Sequence, residues 1–148
     1  MWLDESSERN VAMIRFVRGR LGDRPAFALP DAAGDPYYEQ GSHPDVVERL
    51  WGEIGAALPT DCRCLVHGTP ALVHPTSGIV LAFSMGTGYF VRLPSGSVES
   101  ASSFPPAREG WDVEAVTTLG ADWVVGRWAA EEVAWCRSVF DQLASGSA

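Results

Sequence analysis

An imidazole, a guanidinium and an aromatic ring stand close together in the middle of the chain, at His74, Arg92 and Phe90. Arginine forms strong bidentate hydrogen bonds to carboxylates and phosphates. If the three side chains share one surface, they would form a binding site for an anionic ligand. The alternative interpretation is a polar pair at the margin of a sheet, with no ligand.

This common surface depends on how neighbouring strands pair. A two-residue turn at residues 86–87 and a four-residue loop at residues 75–78 each predict an antiparallel hairpin. Because paired residues share a face of the sheet, the two hairpins place His74, Phe90 and Arg92 together. The predicted pairs are Phe83 with Phe90, Leu72 with Leu81, and His74 with Ile79.

The pattern Cys62-x-Cys64-x-x-His67 contains the residue types that bind zinc. In an extended strand, Cys62 and Cys64 would share one face while His67 points to the other. Structural zinc sites also separate paired cysteines by about two to four residues, which this pattern does not. We therefore expect no metal, and the sequence indicates no cofactor.

Few motifs for catalysis are present. The chain has neither a Gly-x-Ser-x-Gly nucleophile motif nor a His-Glu-x-x-His zinc motif. All 11 basic residues are arginine, which excludes a lysine Schiff base or a phosphate-binding lysine. A Cys–His or Ser–His–Asp site assembled in space stays open, so no catalytic residue is assigned and the sequence does not decide whether the protein is an enzyme.

Charge is distributed unevenly along the chain. The net charge is −8, from 19 acidic residues and 11 arginines. Residues 1–24 hold five arginines and four acids, whereas residues 25–148 carry a net charge of −9. An acidic body repels a phosphate backbone, so we expect no nucleic acid binding. The same charge favours a basic protein partner, or serves only to keep the chain in solution.

Aromatic residues outside the expected core are candidates for partner binding. Of the six tryptophans, Trp51 lies on the apolar stripe of a predicted helix. Trp111 ends a loop rich in Ser and Pro, and Tyr37 and Tyr38 lie in a loop interrupted by Pro and Gly. Tyr and Trp are favoured at protein interfaces because they combine a large apolar surface with a polar atom. We predict that Tyr37, Tyr38 and Trp111 contact a partner.

The expected location is the cytoplasm. Three cysteines, an odd number, are typical of a reducing compartment. The first residues, 1–5, lack the basic and apolar regions of a signal peptide. The longest apolar run, residues 79–83, is far too short to cross a membrane.

Hydrophobic periodicity predicts helices over residues 4–21, 42–58, 112–119 and 129–144. In the first helix the apolar stripe consists of Val11, Ile14, Val17 or Arg18, and Leu21, and in the second helix Arg49 is expected on the solvent side. Strands are predicted over residues 62–67, 71–74, 79–84, 89–93 and 122–127. Their short connections leave no room for parallel crossovers. The sequence thus predicts one α+β domain over residues 1–148, an antiparallel β-meander of about five strands with flanking helices.

The order of helix and hairpins over roughly residues 43–93 and 120–143 resembles that of small bacterial domains of the YjbR type and the TfoX N-terminal type. This resemblance of pattern implies a meander flanked by helices and leaves the function open. Our leading hypothesis is a non-catalytic protein-interaction module of the immunity or regulator kind, which self-associates or binds a protein partner. The alternative is a small-molecule binding protein or enzyme with an anion pocket on the meander.

Overall fold

The computed structural model describes residues 3–30, 42–94 and 117–146, which form one antiparallel sheet with helices on both faces. Six strands follow one another across the sheet in chain order. They are β1 (Phe27–Ala28), β2 (Arg63–Val66), β3 (Thr69–Val73), β4 (Val80–Met85), β5 (Gly88–Arg92) and β6 (Trp123–Val125). The α+β meander predicted from the sequence is confirmed. The short strand β1 was not predicted, because it lies in a stretch interrupted by prolines.

Three main helices cover the sheet. They are α1 (Glu8–Leu21), α2 (Pro44–Val47) and α3 (Ala130–Ala144). A π-helical segment, Glu48–Ile54, and a 3₁₀ turn, Gly55–Ala57, continue α2, and a second 3₁₀ turn, Thr60–Cys62, leads into β2. Most of the helix predicted over residues 112–119 lies outside the described residues.

The sheet is buried on both faces, so the strands are almost continuously apolar. On one side, the α2/α3 face, Leu72, Val91 and other strand residues pack against Leu50 and Trp135. On the other side, the α1 face, Phe83 and Phe90 pack against Phe16. Each face removes a large apolar area from water, which is the main contribution to the stability of the fold.

Helix α1 buries only part of the stripe expected from the sequence. Its buried residues are Asn10, Met13, Phe16 and Val17. Val17 is buried as predicted, and Ile14 and Leu21 are partly buried and pack against the core, but Val11 is 41% exposed, so its prediction is wrong. The physical reason is Asn10, whose amide donates to the carbonyls of Asp4 and Gly78 and accepts from the backbone N–H of Val80. These hydrogen bonds fix the rotation of α1 about its axis, and they place the polar residue Asn10 on the inward side.

Helix α2 begins at His43, whose Nδ1 accepts the backbone N–H of Asp45. The continuing segment has wider turns, since the N–H of Gly55 reaches back five residues to the carbonyl of Leu50. This widening changes the angular position of each side chain relative to an α-helix. The predicted stripe is buried, but Arg49, expected in solvent, is only 7% exposed.

Strand register differs from the prediction at one place. Phe83 pairs with Phe90 and His74 pairs with Ile79 through the backbone, both as predicted. Leu72, however, pairs with Ala82 rather than Leu81. A β-bulge in β4 leaves Leu81 without a paired residue on β3. As a result, the consecutive residues Leu81 and Ala82 both lie on the α2/α3 face.

The turn between β2 and β3 consists of two residues rather than the three expected. His67 and Gly68 both have positive φ, 46° and 88°. A two-residue hairpin turn requires such values because they match the right-handed twist of the two strands. Thr69 and the following proline are therefore part of β3.

Candidate functional site

The three residues of the predicted anion site are not brought together. Phe90 and Arg92 lie on the α1 face, where the Arg92 guanidinium is 4.4 Å from the centre of the Trp123 ring. His74 lies on the opposite face, with its ring centre 4.8 Å from that of Phe140 of α3. The bulge in β4 is the cause, because it shifts the residues on either side of it by one position relative to the faces. The expected common surface is therefore wrong, and a ligand-binding role for each residue stays a prediction.

His74 is 3% exposed, and its Nδ1 accepts the backbone N–H of Ser77 at 3.0 Å. Burial lowers the pKa of His74, and the carboxylate of Asp61 offsets part of this effect. The lowered pKa favours the neutral imidazole, whose Nδ1 closes the turn before β4.

The residues predicted to contact a partner, Tyr37, Tyr38 and Trp111, lie outside the described residues. That prediction stays open.

The cysteine cluster expected in one strand is divided between the two faces. Cys62 belongs to the 3₁₀ turn before β2 and packs on the α2/α3 face, whereas Cys64 packs on the α1 face. Among residues 3–30, 42–94 and 117–146, no three His, Cys, Asp or Glu side chains are placed to hold a metal ion. Burial raises the pKa of the Cys62 thiol to about 11 and those of Cys64 and Cys136 to about 12, so all three are poor nucleophiles at neutral pH.

A buried polar network on the α2/α3 face joins one residue from each of three elements. Arg49 comes from the π-helical segment, Tyr89 from β5 and Glu132 from the first turn of α3. Tyr89 and Glu132 are fully buried, and Arg49 is 7% exposed. The Tyr89 hydroxyl donates to Glu132 Oε1, which also accepts Arg49 Nη2 at 3.1 Å. Arg49 Nε donates to the Tyr89 oxygen at 3.2 Å.

The electrostatics of this network favour a fixed ion pair. Burial alone would lower the pKa of Arg49, but its hydrogen bonds to Tyr89, Glu53 and Glu132 outweigh burial and raise it. Burial and the hydrogen bond to Glu132 raise the pKa of Tyr89. Arg49 therefore stays charged and Tyr89 stays neutral over the physiological pH range.

The network also fixes the chain between β6 and α3. Gly126 N–H donates to the Tyr89 carbonyl at 2.7 Å, Arg127 N–H to Glu132 Oε2 at 2.6 Å and Trp128 N–H to the Tyr89 hydroxyl at 2.8 Å. The carbonyl of Ala129 accepts Arg49 Nη2 at 2.7 Å. Residues 127–129 are thus held by the same three side chains, and Gly126 is held by the backbone of Tyr89.

This segment presents Trp128 to solvent. The residue has φ 55°, in the left-handed region that side chains other than glycine rarely adopt, and it is 50% exposed. Its indole lies edge-on to the Tyr89 ring, with the ring centres 5.0 Å apart. Strained backbone that a buried network maintains is concentrated at functional sites in proteins. Trp128, with the segment 126–129 and the network below it, is the candidate site.

Sequence reasoning missed this site for two reasons. Glu132 lies in the first turn of α3, where the helix dipole alone favours a carboxylate, and Arg49 was expected in solvent. Only the π-helical segment and the packing of α3 on β5 place the two side chains next to Tyr89. The one local signal is Trp128 itself, a large aromatic residue directly before the start of a helix.

A shallow groove of about 500 Å³ follows the outer side of α1. It is lined by the exposed Val11, by Ile14 and by the charged residues Glu5, Arg15, Arg18 and Asp23. Arg18 and Asp23 pair with each other at 3.2 Å. The groove is open to solvent, and acidic and basic side chains both line it. These features indicate no particular class of ligand.

Comparisons of the chain with protein-family models, with curated proteins and with solved structures found no match. In the described ranges, no helix has the length and apolar character needed to cross a membrane. The function must therefore be inferred from the site itself.

Proposed function

We propose that the protein is a non-catalytic protein-interaction module that binds a protein partner through the surface around Trp128. The observation that carries this proposal is the exposed indole of Trp128, held in left-handed backbone by the buried Arg49, Tyr89 and Glu132. Tryptophan, tyrosine and arginine supply most of the binding energy at protein interfaces. A rigid aromatic side chain loses little conformational freedom on binding, which favours tight association.

The network beneath Trp128 supports binding rather than chemistry. Each polar atom of Arg49, Tyr89 and Glu132 that faces the interior has a hydrogen-bond partner within the described residues. A general acid or base needs a free position toward a substrate, and this network has none. Its role is to hold residues 127–129.

The charge of this face favours a basic partner of the immunity or regulator kind. Exposed acidic side chains stand on α2, on the π-helical segment, in the 3₁₀ turn before β2 and on α3, at Asp45, Glu48, Glu53, Asp61, Glu131 and Asp141. Long-range attraction to a basic surface would accelerate association, and a partner's arginine or lysine would stack on the indole of Trp128. The same acidity disfavours nucleic acid.

A reducing cytoplasm is the location that fits these observations. Cys62, Cys64 and Cys136 are all unpaired and buried. Secreted domains of this size commonly oxidise such cysteines to disulfides, whereas cytosolic proteins keep them as thiols.

The test compares capture of proteins from a lysate of the source organism by three immobilised forms: the parent, Trp128→Ala and Leu29→Ala. Leu29 is 56% exposed and lies at the other edge of the sheet, next to β1, so it is a matched control for loss of exposed apolar surface. We expect one protein, identified by mass spectrometry, to be retained by the parent and by Leu29→Ala. Its Kd should rise at least about 30-fold for Trp128→Ala, as for an interface hot spot. Sedimentation velocity on the same forms tests whether the partner is a second copy.

Equal binding of the partner by all three forms would contradict the proposal. So would a parent protein that sediments as a monomer and retains nothing. Circular dichroism of Trp128→Ala confirms that the variant is folded.

A further inference from the structure

Arg92 places a buried positive charge on the α1 face, and it has no ion-pair partner among the described residues. The residue is 1% exposed. Its Nε donates to the carbonyl of Val80 at 2.7 Å, and its Nη2 donates to the carbonyl of Arg9 at 2.9 Å. None of the ion pairs between described residues includes Arg92. Carbonyl groups and the Trp123 ring solvate the guanidinium, but they do not neutralise it.

Arg9 of α1 adds a second guanidinium to the same region. Its Nη1 is buried and has no hydrogen-bond partner among the described residues, and Arg9 likewise forms no ion pair with them. Burial and then the positive charge of Arg9 lower the pKa of Arg92 to about 9, while the carboxylate of Asp122 offsets part of this effect. The two like charges therefore act on each other in a region of low polarity.

We propose that Arg9 and Arg92 form a binding site for an oxyanion, a phosphate or a carboxylate group, between α1 and strand β5. Such a group would accept the N–H of Arg9 Nη1 and pair with both guanidiniums, neither of which forms an ion pair with the described residues. Arginine is suited to this role because its donors form a planar fork that matches both oxyanions.

The site differs from the one predicted from the sequence. Arg92 is retained, but the second cation is Arg9 rather than His74. It is also independent of the surface around Trp128, because Arg92 lies on the α1 face and Tyr89 on the α2/α3 face.

The experiment is thermal unfolding of the full chain in a Tris–chloride buffer, with added sodium phosphate, sodium acetate or sodium chloride at matched ionic strength. We expect phosphate or acetate to raise the Tm in a saturable way by about 4 °C or more, beyond the effect of chloride. The two anions distinguish the sources of the group, since preference for phosphate indicates a phosphorylated ligand and preference for acetate a carboxylic acid.

Arg9→Ala should weaken the stabilising anion at least tenfold. Arg15→Ala is the matched control: the residue is an exposed arginine on the same helix, and its loss should leave the anion's effect unchanged. Arg92→Lys, which keeps the charge and removes the fork, should also weaken binding. Trp128→Ala should not, so failure of the interaction proposal leaves this one standing.

Two results would overturn the oxyanion site. One is a Tm that responds to phosphate and acetate no more than to chloride. The other is an equal loss of the anion effect in Arg9→Ala and Arg15→Ala, which would show a general response to net charge. Arg9 is half-buried and its side chain forms no hydrogen bond to the described residues, so its replacement should leave the fold intact.

Discussion

The phenol of Tyr89 holds Trp128 in place although one residue is fully buried and the other is half exposed. The hydroxyl oxygen accepts the Trp128 N–H at 2.8 Å, and the two rings meet edge to face. A residue in the core thus determines the conformation of a residue at the surface. Substitutions in the buried network should therefore affect both stability and the surface around Trp128.

Removing one member of the buried ion pair should be costly. Arg49→Met leaves the Glu132 carboxylate buried without its cation, and we expect a loss of about 3–5 kcal/mol in the free energy of unfolding. The double variant Arg49→Met/Glu132→Leu should recover a large part of this loss, since it removes both charges. Urea unfolding of the parent, both single variants and the double variant measures the coupling.

The matched control for that cycle is Arg137→Met. Arg137 pairs with Asp141 at 3.2 Å, but both side chains are at least half exposed. An exposed pair of this kind contributes about 0.5 kcal/mol or less. Similar losses for Arg49→Met and Arg137→Met would contradict the importance assigned to the buried network.

Two glycine substitutions should change stability in opposite directions. At Gly126 an added Cβ would lie 2.1 Å from the Tyr89 ring, so Gly126→Ala must displace either the ring or the segment 126–129. We expect a loss of about 1–3 kcal/mol in the free energy of unfolding.

At Gly19, in the exposed part of α1, an added Cβ meets no atom within 4 Å, so Gly19→Ala should stabilise the helix by about 1 kcal/mol. Thermal unfolding followed by circular dichroism compares the two; a neutral Gly126→Ala would show that the segment yields easily.

Replacing Trp128 by glycine should separate backbone strain from binding. Glycine adopts a φ of 55° without steric cost, so Trp128→Gly should be more stable than Trp128→Ala by about 1 kcal/mol. Both variants lack the indole and should lose the partner equally. Denaturant titration of the two variants measures the difference in stability, and binding measurements test whether both lose the partner. If Trp128→Gly were less stable than Trp128→Ala, residue 128 would not be held in left-handed backbone.

Acid should destabilise the protein through His74. Because the pKa of folded His74 lies below its usual value of 6.5, the unfolded chain takes up a proton first as the pH falls below about 6.5. The contribution of His74 to the free energy of unfolding is constant above this pH. It declines below this pH by up to about 1.4 kcal/mol per pH unit. His74→Asn keeps an acceptor for the Ser77 N–H but cannot titrate, so its unfolding free energy should fall less between pH 7 and pH 5. An identical decline in both proteins would assign the acid sensitivity to other groups.

The sequence predicted the meander because hairpin-length connections leave consecutive strands no arrangement but an antiparallel one. It did not predict the β-bulge at Leu81, since an extra residue in a continuously apolar strand changes no pattern of hydrophobicity. That one residue moved His74 away from Arg92. The burial of Val11 on α1 was mispredicted because a polar residue, Asn10, takes an inward position that periodicity reserves for apolar residues.

The Trp128 site could not be predicted because its parts are far apart in the chain and polar. Arg49, Tyr89 and Glu132 meet only after α2 and α3 pack on β5, and a charged residue in a helix is by default expected in solvent. The π-helical segment that turns Arg49 inward has no recognised sequence pattern. Burial of both charges follows from tertiary packing rather than from local preference.

The described sheet ends in its two shortest strands, β1 with two residues and β6 with three. The long apolar strands β3, β4 and β5 all lie between them, with neighbours on both sides. Few backbone groups are consequently left to recruit a strand from another molecule, which protects a strongly apolar sheet from growing into aggregates. A strand added at either edge of the described sheet would form few hydrogen bonds, which favours association through side chains on the helical layers.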